Sequence, residues 1–492
     1  MKKVIIIGAG IAGLSAGIYA QKNGFDTTIY ELHYLPGGMC TAWKRNGFMF
    51  EGCMHFLGLV GSSPTHMYYR LWNELGVLPK MKIYHHDIYH TFQDTSGRTL
   101  NIYADVDKLE QELLNLSPTD GEQIKALCTA IRRYSSFIKS SNKNPFRFLS
   151  KIVGIIRGIP LLKKYSNMNI GEFASQFKDP LIRDALTNIF VYPEFSCISI
   201  FFFLAGFHIK GTGYPEGSSL AFARAIERTF LELDGKIEYK KKVKRILVEN
   251  SHAMGIELDD GTTIEADLVI SAADGYNTLY KMLDDKYTTP ALRQRYESRP
   301  VFPPFIQVSL GVNRDLSNTP HSVIVQTSEP FEIAGEQRYA FWYQNYAFDP
   351  TAAPEGKTSL TVLYPSNLSW WEQLGYPSNQ YTEEKKKVLK TTIAQLERLL
   401  PGISEQIETS DVATPITMLR YTNNWQGALS FMMTKDISAE MFMKTQYTLP
   451  GLKNFYMTGQ WVKGLGVPVA ALSGKEVIKE ICRDHGKRFR KR

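Results

Sequence analysis

The sequence begins Met1-Lys-Lys-Val-Ile-Ile-Ile-Gly8-Ala-Gly10-Ile-Ala-Gly13, and this stretch decides the fold. The apolar, β-branched run Val4–Ile7 is typical of a parallel strand buried on both faces. The glycines form the pattern G-x-G-x-x-G. The first permits a tight turn, the second lets the backbone approach a pyrophosphate, and the third lets a helix pack closely on the strand. The pattern predicts a strand, a glycine turn, and a helix whose amino terminus faces phosphates.

A second strand and an acid complete this unit. The predicted helix Leu14–Lys22 is followed by a second predicted strand, which ends at Glu31. A carboxylate in this position can accept hydrogen bonds from the ribose hydroxyls of a dinucleotide. The alternative is a glycine-rich turn that binds no ligand, but this alternative does not explain why Glu31 and the third glycine are present. We therefore expect a dinucleotide site.

Length and composition limit the class of protein. The chain has 492 residues, of which 43% are hydrophobic, which allows two domains of ordinary globular composition. The first strand begins at residue 4, which leaves no room for a signal peptide before it. No window has the uninterrupted apolar length of a membrane-spanning helix. We therefore expect a cytoplasmic protein.

The cysteines predict neither a metal site nor a redox disulfide. They contain no C-x-x-C pair and are scattered over the chain at Cys40, Cys53, Cys128, Cys197 and Cys482. This usage is typical of free thiols in a reducing compartment. We expect no bound metal.

Basic residues are concentrated in one window. The net charge is +8, but residues 123–171 contain no Asp or Glu and ten Lys or Arg. The segment is too short and too charged to span a bilayer, yet it can lie among lipid headgroups. There, each basic residue adds about 1 kcal/mol of attraction to an anionic surface. A helix with a buried apolar face and a solvated basic rim is the alternative. No recognised nucleic-acid-binding fold accompanies the charge, so we expect no nucleic acid partner.

Further motifs carry a family resemblance. Residues 35–41 read Leu-Pro-Gly-Gly-Met-Cys-Thr, residues 47–52 read Gly-Phe-Met-Phe-Glu-Gly, and residues 455–474 contain a glycine-rich loop before a helix. With the opening unit, they resemble FAD-dependent amine oxidase-like flavoproteins, in particular the phytoene desaturase, carotenoid isomerase and retinol saturase branch. That branch usually has Asp where this chain has Glu51. Residues 214–218 resemble its Tyr-Pro-x-Gly-Gly turn, with Ser in place of the second Gly.

The resemblance implies an α/β fold. A glutathione reductase-like, Rossmann-type FAD-binding domain is expected from residues 1–80, 205–280 and 445–492. Residues 81–204 are expected to form a helical, membrane-facing insertion, and residues 281–444 a substrate domain with an antiparallel sheet.

The resemblance also implies the cofactor and the residues that hold it. A plain NAD enzyme would not need the glycine pair at 37–38 or the glycine-rich loop near the carboxyl terminus. No second G-x-G-x-x-G for NADPH is present, so an external electron acceptor or donor stays unidentified. The expected FAD-binding residues are Gly8, Gly10, Ile11, Ala12, Gly13, Glu31, Gly37, Gly38, Met39, Thr41, Val243, Ala273, Gly459, Gly466 and Val467.

Catalytic side chains are less well defined by the sequence. In this branch the flavin carries the redox chemistry, and the protein supplies position and electrostatics. His55 follows the Glu51 turn and can face the flavin ring, although a structural histidine is the alternative. Glu51, Tyr214 and Arg420 are candidate proton or orientation groups.

The resemblance implies desaturation, saturation or cis–trans isomerisation of a long apolar polyene. The substrate class is a carotenoid, a retinoid or a related unsaturated lipid, reached by a peripheral protein at an anionic membrane surface through residues 123–171. An amine oxidase-like enzyme acting on a soluble amine is one alternative. A flavin-binding protein without its own turnover is another.

Overall fold

The computed structural model describes residues 1–61, 63–66, 68–139, 164–190, 192–435 and 445–491. The helices are α1 (Ile11–Lys22), α2 (Tyr69–Glu74), α3 (Val106–Leu116), α4 (Gly121–Lys139), α5 (Ile170–Ala174), α6 (Pro180–Asn188), α7 (Ile198–His208), α8 (Ser218–Leu231), α9 (Pro290–Ser298), α10 (Leu368–Gln373), α11 (Asn379–Leu399), α12 (Pro415–Thr422), α13 (Gln460–Lys463) and α14 (Val467–Asp484).

The strands are β1 (Lys3–Ile7), β2 (Asp26–Tyr30), β3 (Ala42–Arg45), β4 (Phe48–Glu51), β5 (Ile83–Tyr84), β6 (Ile88–Gln93), β7 (Thr99–Tyr103), β8 (Tyr214–Pro215), β9 (Lys236–Glu238), β10 (Val243–Glu249), β11 (His252–Leu258), β12 (Thr263–Glu265), β13 (Leu268–Ser271), β14 (Phe305–Val312), β15 (Ser322–Ile333), β16 (Glu336–Asn345), β17 (Thr358–Pro365), β18 (Ile407–Ala413) and β19 (Phe455–Met457).

A five-stranded parallel sheet gathers remote parts of the chain. Its order is β19-β13-β1-β2-β9, and every neighbouring pair is parallel. The first strand therefore lies at the centre, and Val4 to Ile7 are buried as expected of a strand covered on both faces. The strand, glycine turn, helix and second strand predicted from the opening residues are all present. The α/β class predicted from the sequence is confirmed.

Two helices from opposite ends of the chain pack against each other beside this sheet. Helix α1 has a continuous buried stretch from Ile11 to Ala20 because it lies between the sheet and helices α8 and α14. The Ser15 hydroxyl donates to the Ala471 carbonyl across the contact, at 2.7 Å. A side chain at Gly474 would collide with the Ala12 carbonyl and lie 2.8 Å from the Ala16 nitrogen. Only glycine lets α1 and α14 approach this closely.

The second sheet has seven strands in the order β18-β14-β17-β16-β15-β6-β7. Its pairs are antiparallel, except that β15 lies parallel to β6. Strands β6 and β7 come from within residues 81–204, which the sequence predicted as mainly a helical insertion. They instead extend the sheet expected of residues 281–444. This pairing has no local signal, because the parallel partners are far apart in sequence.

Helices α3 to α7 pack around a separate apolar core against strands β6 and β7. Asp120, buried between α3 and α4, accepts hydrogen bonds from the backbone nitrogens of Lys178 and Asp179, at 2.8 and 2.9 Å. The centre of the acid-free window, residues 140–163, lies outside the described residues, as does part of the expected membrane-facing region. Within the described part of the chain, no helix combines the length and apolar character needed to cross a bilayer.

The contact between α1 and α14 gives a direct test. We expect Gly474→Ala to lower the free energy of unfolding by about 1–3 kcal/mol, because the added methyl group forces the two helices apart. FAD content should fall with it, since both helix amino termini shift. Thermal unfolding and the flavin-to-protein absorbance ratio measure the two effects.

The matched control is Gly121→Ala. A methyl group there would meet only the end of the Leu114 side chain, at 3.6 Å, an ordinary contact. Equal stability and FAD content in the two variants would contradict the close-packing argument.

Candidate flavin and substrate site

A cavity of about 230 Å³ lies at the carboxyl-terminal edge of the parallel sheet. This is where ligands bind in open α/β sheets. Its wall contains all but two of the residues predicted to bind the cofactor, namely Gly8, Gly10, Ile11, Ala12, Glu31, Gly37, Gly38, Met39, Val243, Ala273, Gly459, Gly466 and Val467. Gly13 lies in the packing between α1 and β1, and Thr41 lines a neighbouring cleft. The fold thus brings the two ends of the chain to one site.

Two uncapped helix amino termini open onto this cavity. Gly10 precedes α1 and Gly466 precedes α14, and neither helix has a side-chain cap or an acidic residue in its first turn. The free backbone N–H groups and the positive end of each helix dipole favour an anionic ligand. Trp461 also lines the cavity, and its indole nitrogen is buried without a hydrogen-bond partner in the described part of the chain. These features fit a dinucleotide rich in hydrogen-bond acceptors.

The glycine pair and the acid shape the turn around the nucleotide. Gly37 has φ +104°, its nitrogen donates to the Ala9 carbonyl at 2.8 Å, and a side chain there would collide with the Cys40 carbonyl. Glu31 accepts from the backbone nitrogens of Ala9 and His33, at 2.6 and 2.8 Å. Burial raises the pKa of Glu31, while these hydrogen bonds act in the opposite direction. Each carboxylate oxygen keeps a lone pair for a ribose hydroxyl.

Asp274 is a residue of the cavity wall that the sequence did not single out for binding. Its carboxylate accepts from the backbone nitrogens of Asn277 and Trp425, at 2.7 and 3.0 Å. Burial raises its pKa to about 6. The side-chain amide of Asn277 donates to the Asn423 carbonyl at 2.6 Å. Asp274 thereby fixes the loop after α12 against the cofactor cavity, through partners too remote in sequence to be predicted.

A second cavity, of about 260 Å³, meets the first one. The two share five wall residues, which are Met39, Cys53, Leu429, Leu465 and Gly466. Helices α6 and α7 and the segments beside them contribute Phe190, Phe195 and Phe203, and the second sheet contributes Phe305 and Trp342. No charged side chain belongs to the wall among the described residues. An elongated apolar molecule fits such a space beside the cofactor.

His55 is the one predicted catalytic residue in the wall of this apolar cavity. Its Nδ1 lies 2.8 Å from the Tyr346 hydroxyl, which donates to the side-chain carbonyl of Gln344 at 2.7 Å. Burial lowers the pKa of His55 to about 4. The imidazole is therefore neutral near pH 7 and can act as a hydrogen-bonding group or proton acceptor.

Glu51 and Tyr214 lie behind the wall and line neither cavity. Glu51 is 1% exposed and accepts from the backbone nitrogens of Cys53 and Ser219, at 3.0 and 2.9 Å. It also accepts from the hydroxyls of Ser219 and Tyr214. Burial raises the pKa of Glu51, and these hydrogen bonds oppose the rise. The geometry suits a carboxylate that holds the turn before His55 against the amino terminus of α8.

Arg420, the fourth predicted catalytic residue, lies elsewhere. It is exposed, and its guanidinium donates to the Tyr376 hydroxyl at 2.7 Å. It lines a cleft with Thr41 that adjoins the apolar cavity at Met39, Gly52 and Met418, but Arg420 itself is not in the wall of that cavity. Of the four predicted catalytic residues, Glu51 and Tyr214 are thus hydrogen bonded to each other beside the turn that precedes His55, and only Arg420 lies apart. The described residues also contain no group of three or more possible metal ligands.

The parallel sheet, the two helix amino termini and the adjoining apolar cavity define a flavoenzyme-like dinucleotide-binding protein. The family model for flavin containing amine oxidoreductases matches residues 11–482, and the chain belongs to this family. The prediction of FAD as the cofactor is confirmed by this membership, as is the assignment to FAD-dependent oxidoreductases and isomerases.

Relatives match over nearly the whole chain. The 4,4'-diapophytoene desaturase (4,4'-diapolycopene-forming) of Methylomonas sp is 27% identical over 99% of this chain and 97% of its own length. The chloroplastic prolycopene isomerase of Daucus carota is 25% identical over 98% of this chain and 80% of its own length. An oxidoreductase structure from Methanosarcina mazei has TM-score 0.64 and 18% identity, covering 97% of this chain and 100% of that one. The resemblance found in the sequence is confirmed.

The buried histidines predict an acid-sensitive fold. Burial lowers the pKa of His55 and His86 to about 4 and that of His90 to about 3, from an ordinary value of 6.5. Between pH 6.5 and 4, the unfolded chain binds protons at these sites and the folded chain does not. The free energy of unfolding should therefore fall as the pH falls through this window.

Thermal unfolding at pH 7.5 and 5 measures this loss. We expect His86→Phe to reduce it by about 1–2 kcal/mol, since one histidine contributes about 1.4 kcal/mol per pH unit within the window. The raised pKa of Asp274 acts in the opposite direction but is common to both proteins. His252→Asn, at a partly exposed site on β11, is the control and should show the full loss. An unchanged loss in His86→Phe would contradict the prediction.

Proposed function

We propose that this protein is an FAD-dependent enzyme that desaturates, saturates or isomerises a long apolar polyene of the carotenoid or retinoid type. The observation that carries the proposal is the uncharged apolar cavity that shares a wall with the cofactor cavity. Burying a chain of conjugated carbons against phenylalanine side chains is favourable by about 25 cal/mol per Å². The relatives, which include a diapophytoene desaturase and a prolycopene isomerase, support the same substrate class.

The residues of the chain position the reactants. FAD, when bound, supplies the capacity to accept or donate a hydride. The backbone N–H groups at the start of α14, near Gly466 and Val467, would stabilise negative charge on the bound cofactor. The apolar wall would exclude water from the polyene. His55 follows Cys53 closely in the chain and lies in the wall of the apolar cavity. Its imidazole is neutral near pH 7 and can accept a proton. Glu51 acts through the turn that carries His55, and we assign it a positioning role.

The two alternative functions are less well supported. An ammonium group would be desolvated in the apolar cavity without a carboxylate partner in its described wall, which disfavours a soluble amine substrate. A flavin-binding protein without turnover gives no reason for an apolar cavity beside the flavin.

We further propose the division expected from the sequence. In it, residues 1–80, 205–280 and 445–492 form a glutathione reductase-like FAD domain, residues 81–204 an insertion, and residues 281–444 the rest of the substrate domain. The insertion is proposed to contact an anionic membrane from the cytoplasmic side through residues 123–171. The positive charge of this window supports the membrane contact. Phe190 and Phe203, which follow the window in the chain, line the apolar cavity, so the same part of the chain would connect the membrane with that cavity.

Anaerobic incubation of the FAD-loaded protein with a lipid extract tests the reaction. For a desaturase we expect the oxidised flavin to bleach while a polyene loses two hydrogens. For a saturase, pre-reduced flavin reoxidises while a polyene gains two. An isomerase changes retention time without a change of mass. Flavin absorbance and mass spectrometry measure the outcomes, and an extract left unaltered by both flavin states would refute the proposal.

Vesicle flotation tests the membrane contact. We expect the protein to float with vesicles containing anionic lipid. Its membrane partition coefficient should fall by up to about a thousandfold when Lys143, Arg147, Lys151 and Arg157 are replaced by Gln, because each cation contributes about 1 kcal/mol of attraction. The control removes the same charge from the carboxyl-terminal tail, at Lys487, Arg488, Arg490 and Lys491. Equal flotation of the two variants would exclude residues 123–171 as the contact.

A further inference from the structure

Two histidines line the apolar cavity beside one indole ring. His55 and His90 each pack edge-on against Trp342, with ring centroids 5.3 and 5.5 Å from it. Both imidazoles are polar groups in a wall that is otherwise mainly aromatic and aliphatic. His90 is only 3% exposed, and it was not among the residues predicted from the sequence. Their hydrogen-bond partners differ in a way that fixes which nitrogen carries the proton.

The proton of His90 lies on Nε2. Its Nδ1 is 2.6 Å from the Ser322 hydroxyl, and the same hydroxyl is 2.7 Å from the Trp342 indole nitrogen. An indole N–H can only donate, so Ser322 accepts from Trp342. Ser322 is 1% exposed and has no other hydrogen-bond acceptor for its own proton among the described residues, so it donates that proton to His90 Nδ1. The other ring nitrogen then presents an N–H. That nitrogen has no hydrogen-bond partner within the described part of the chain.

The proton of His55 lies on Nδ1. The Tyr346 hydroxyl donates to the side-chain carbonyl of Gln344, so its lone pair is left to accept from His55 Nδ1–H. The Nε2 atom of His55 therefore carries a lone pair and no proton. One cavity thus holds a neutral imidazole that accepts at Nε2 and a neutral imidazole that donates at Nε2.

A hydrocarbon would leave both of these groups unmatched. A buried donor or acceptor without a partner loses the hydrogen bond that it made to water, and this lowers affinity. A carboxylate would have no cation in the described wall and would face the lone pair of His55. A ketone or aldehyde oxygen could match His90 but not His55. A hydroxyl group both accepts and donates, so it matches the pair.

We propose that the substrate is a polyene, or a similar apolar chain, that carries a hydroxyl group, and that His55 and His90 recognise this group. The oxygen accepts from His90 Nε2–H, and its proton is donated to His55 Nε2, directly or through one ordered water. Ser322 and Tyr346 act as positioning residues, because they set the two tautomers. The proposal rests on the proposed function and narrows its substrate class.

The test compares two probes on the FAD-loaded, full-length protein. They are a polyene with one terminal hydroxyl and the same polyene as a hydrocarbon, with binding followed by quenching of protein fluorescence. We expect the alcohol to bind at least tenfold more tightly. His90→Phe should bring the two affinities within about twofold, mainly by weakening the alcohol. Ser322→Ala leaves the imidazole in place and should reduce the preference partially.

Tyr192→Phe is the matched control. It removes a buried hydroxyl that has no partner among the described residues, beside Phe302 and outside the cavity wall. The preference for the alcohol should persist in this variant. FAD content and thermal unfolding establish that each variant is folded.

Each remaining result decides between the proposals. Equal affinity of the wild-type protein for both probes, with turnover of the hydrocarbon, overturns hydroxyl recognition and leaves the proposed function standing. Binding of neither probe overturns the proposed function itself. A fall in kcat for His90→Phe with an unchanged preference for the alcohol assigns His90 to proton transfer and overturns its recognition role.

Discussion

The close contact between α1 and α14 is the constraint on which the site depends. These helices come from the two ends of the chain, and the absence of a side chain at Gly474 lets their backbones approach. Their uncapped amino termini then open onto one cavity, so two positive dipole ends act on the same ligand. The described wall of the cavity also contains the basic residues Lys241 and Lys242, which add to the positive potential.

The apolar cavity provides space for a second molecule beside the cofactor cavity. It meets the cofactor cavity at Met39, Cys53 and Gly466, so a molecule bound there would lie directly beside the cofactor. Its wall combines helices that follow the basic window with strands of the second sheet. The uncharged state of its histidines keeps the space compatible with an apolar chain, while their hydrogen-bonding atoms add a means of recognition.

Local signals in the sequence led to residues that share one cavity wall, whereas contacts between remote parts of the chain were missed. The glycine turn, Glu31 and the glycine-rich loop at 459–466 each follow a pattern within about ten to thirty residues, and all lie at the nucleotide cavity. Asp274 was not selected, because its role depends on Trp425. Arg420 was selected, yet its side chain points to Tyr376 in another cleft. Likewise, the place of β6 and β7 in the second sheet was not predicted, because it depends on the pairing of β6 with the remote strand β15.

The sequence by itself determined the dinucleotide-binding unit, the α/β class and the flavin family, because the steric demands on glycine, the continuous apolar run of a buried strand and the family motifs can all be read from neighbouring residues. The tertiary structure alone decided which polar groups share a cavity. His90 acquires a fixed tautomer only through Ser322 and Trp342, which lie in strands distant in sequence. Whether an imidazole nitrogen donates or accepts a hydrogen bond depends on the groups that it contacts, and the packing of the whole chain determines those contacts.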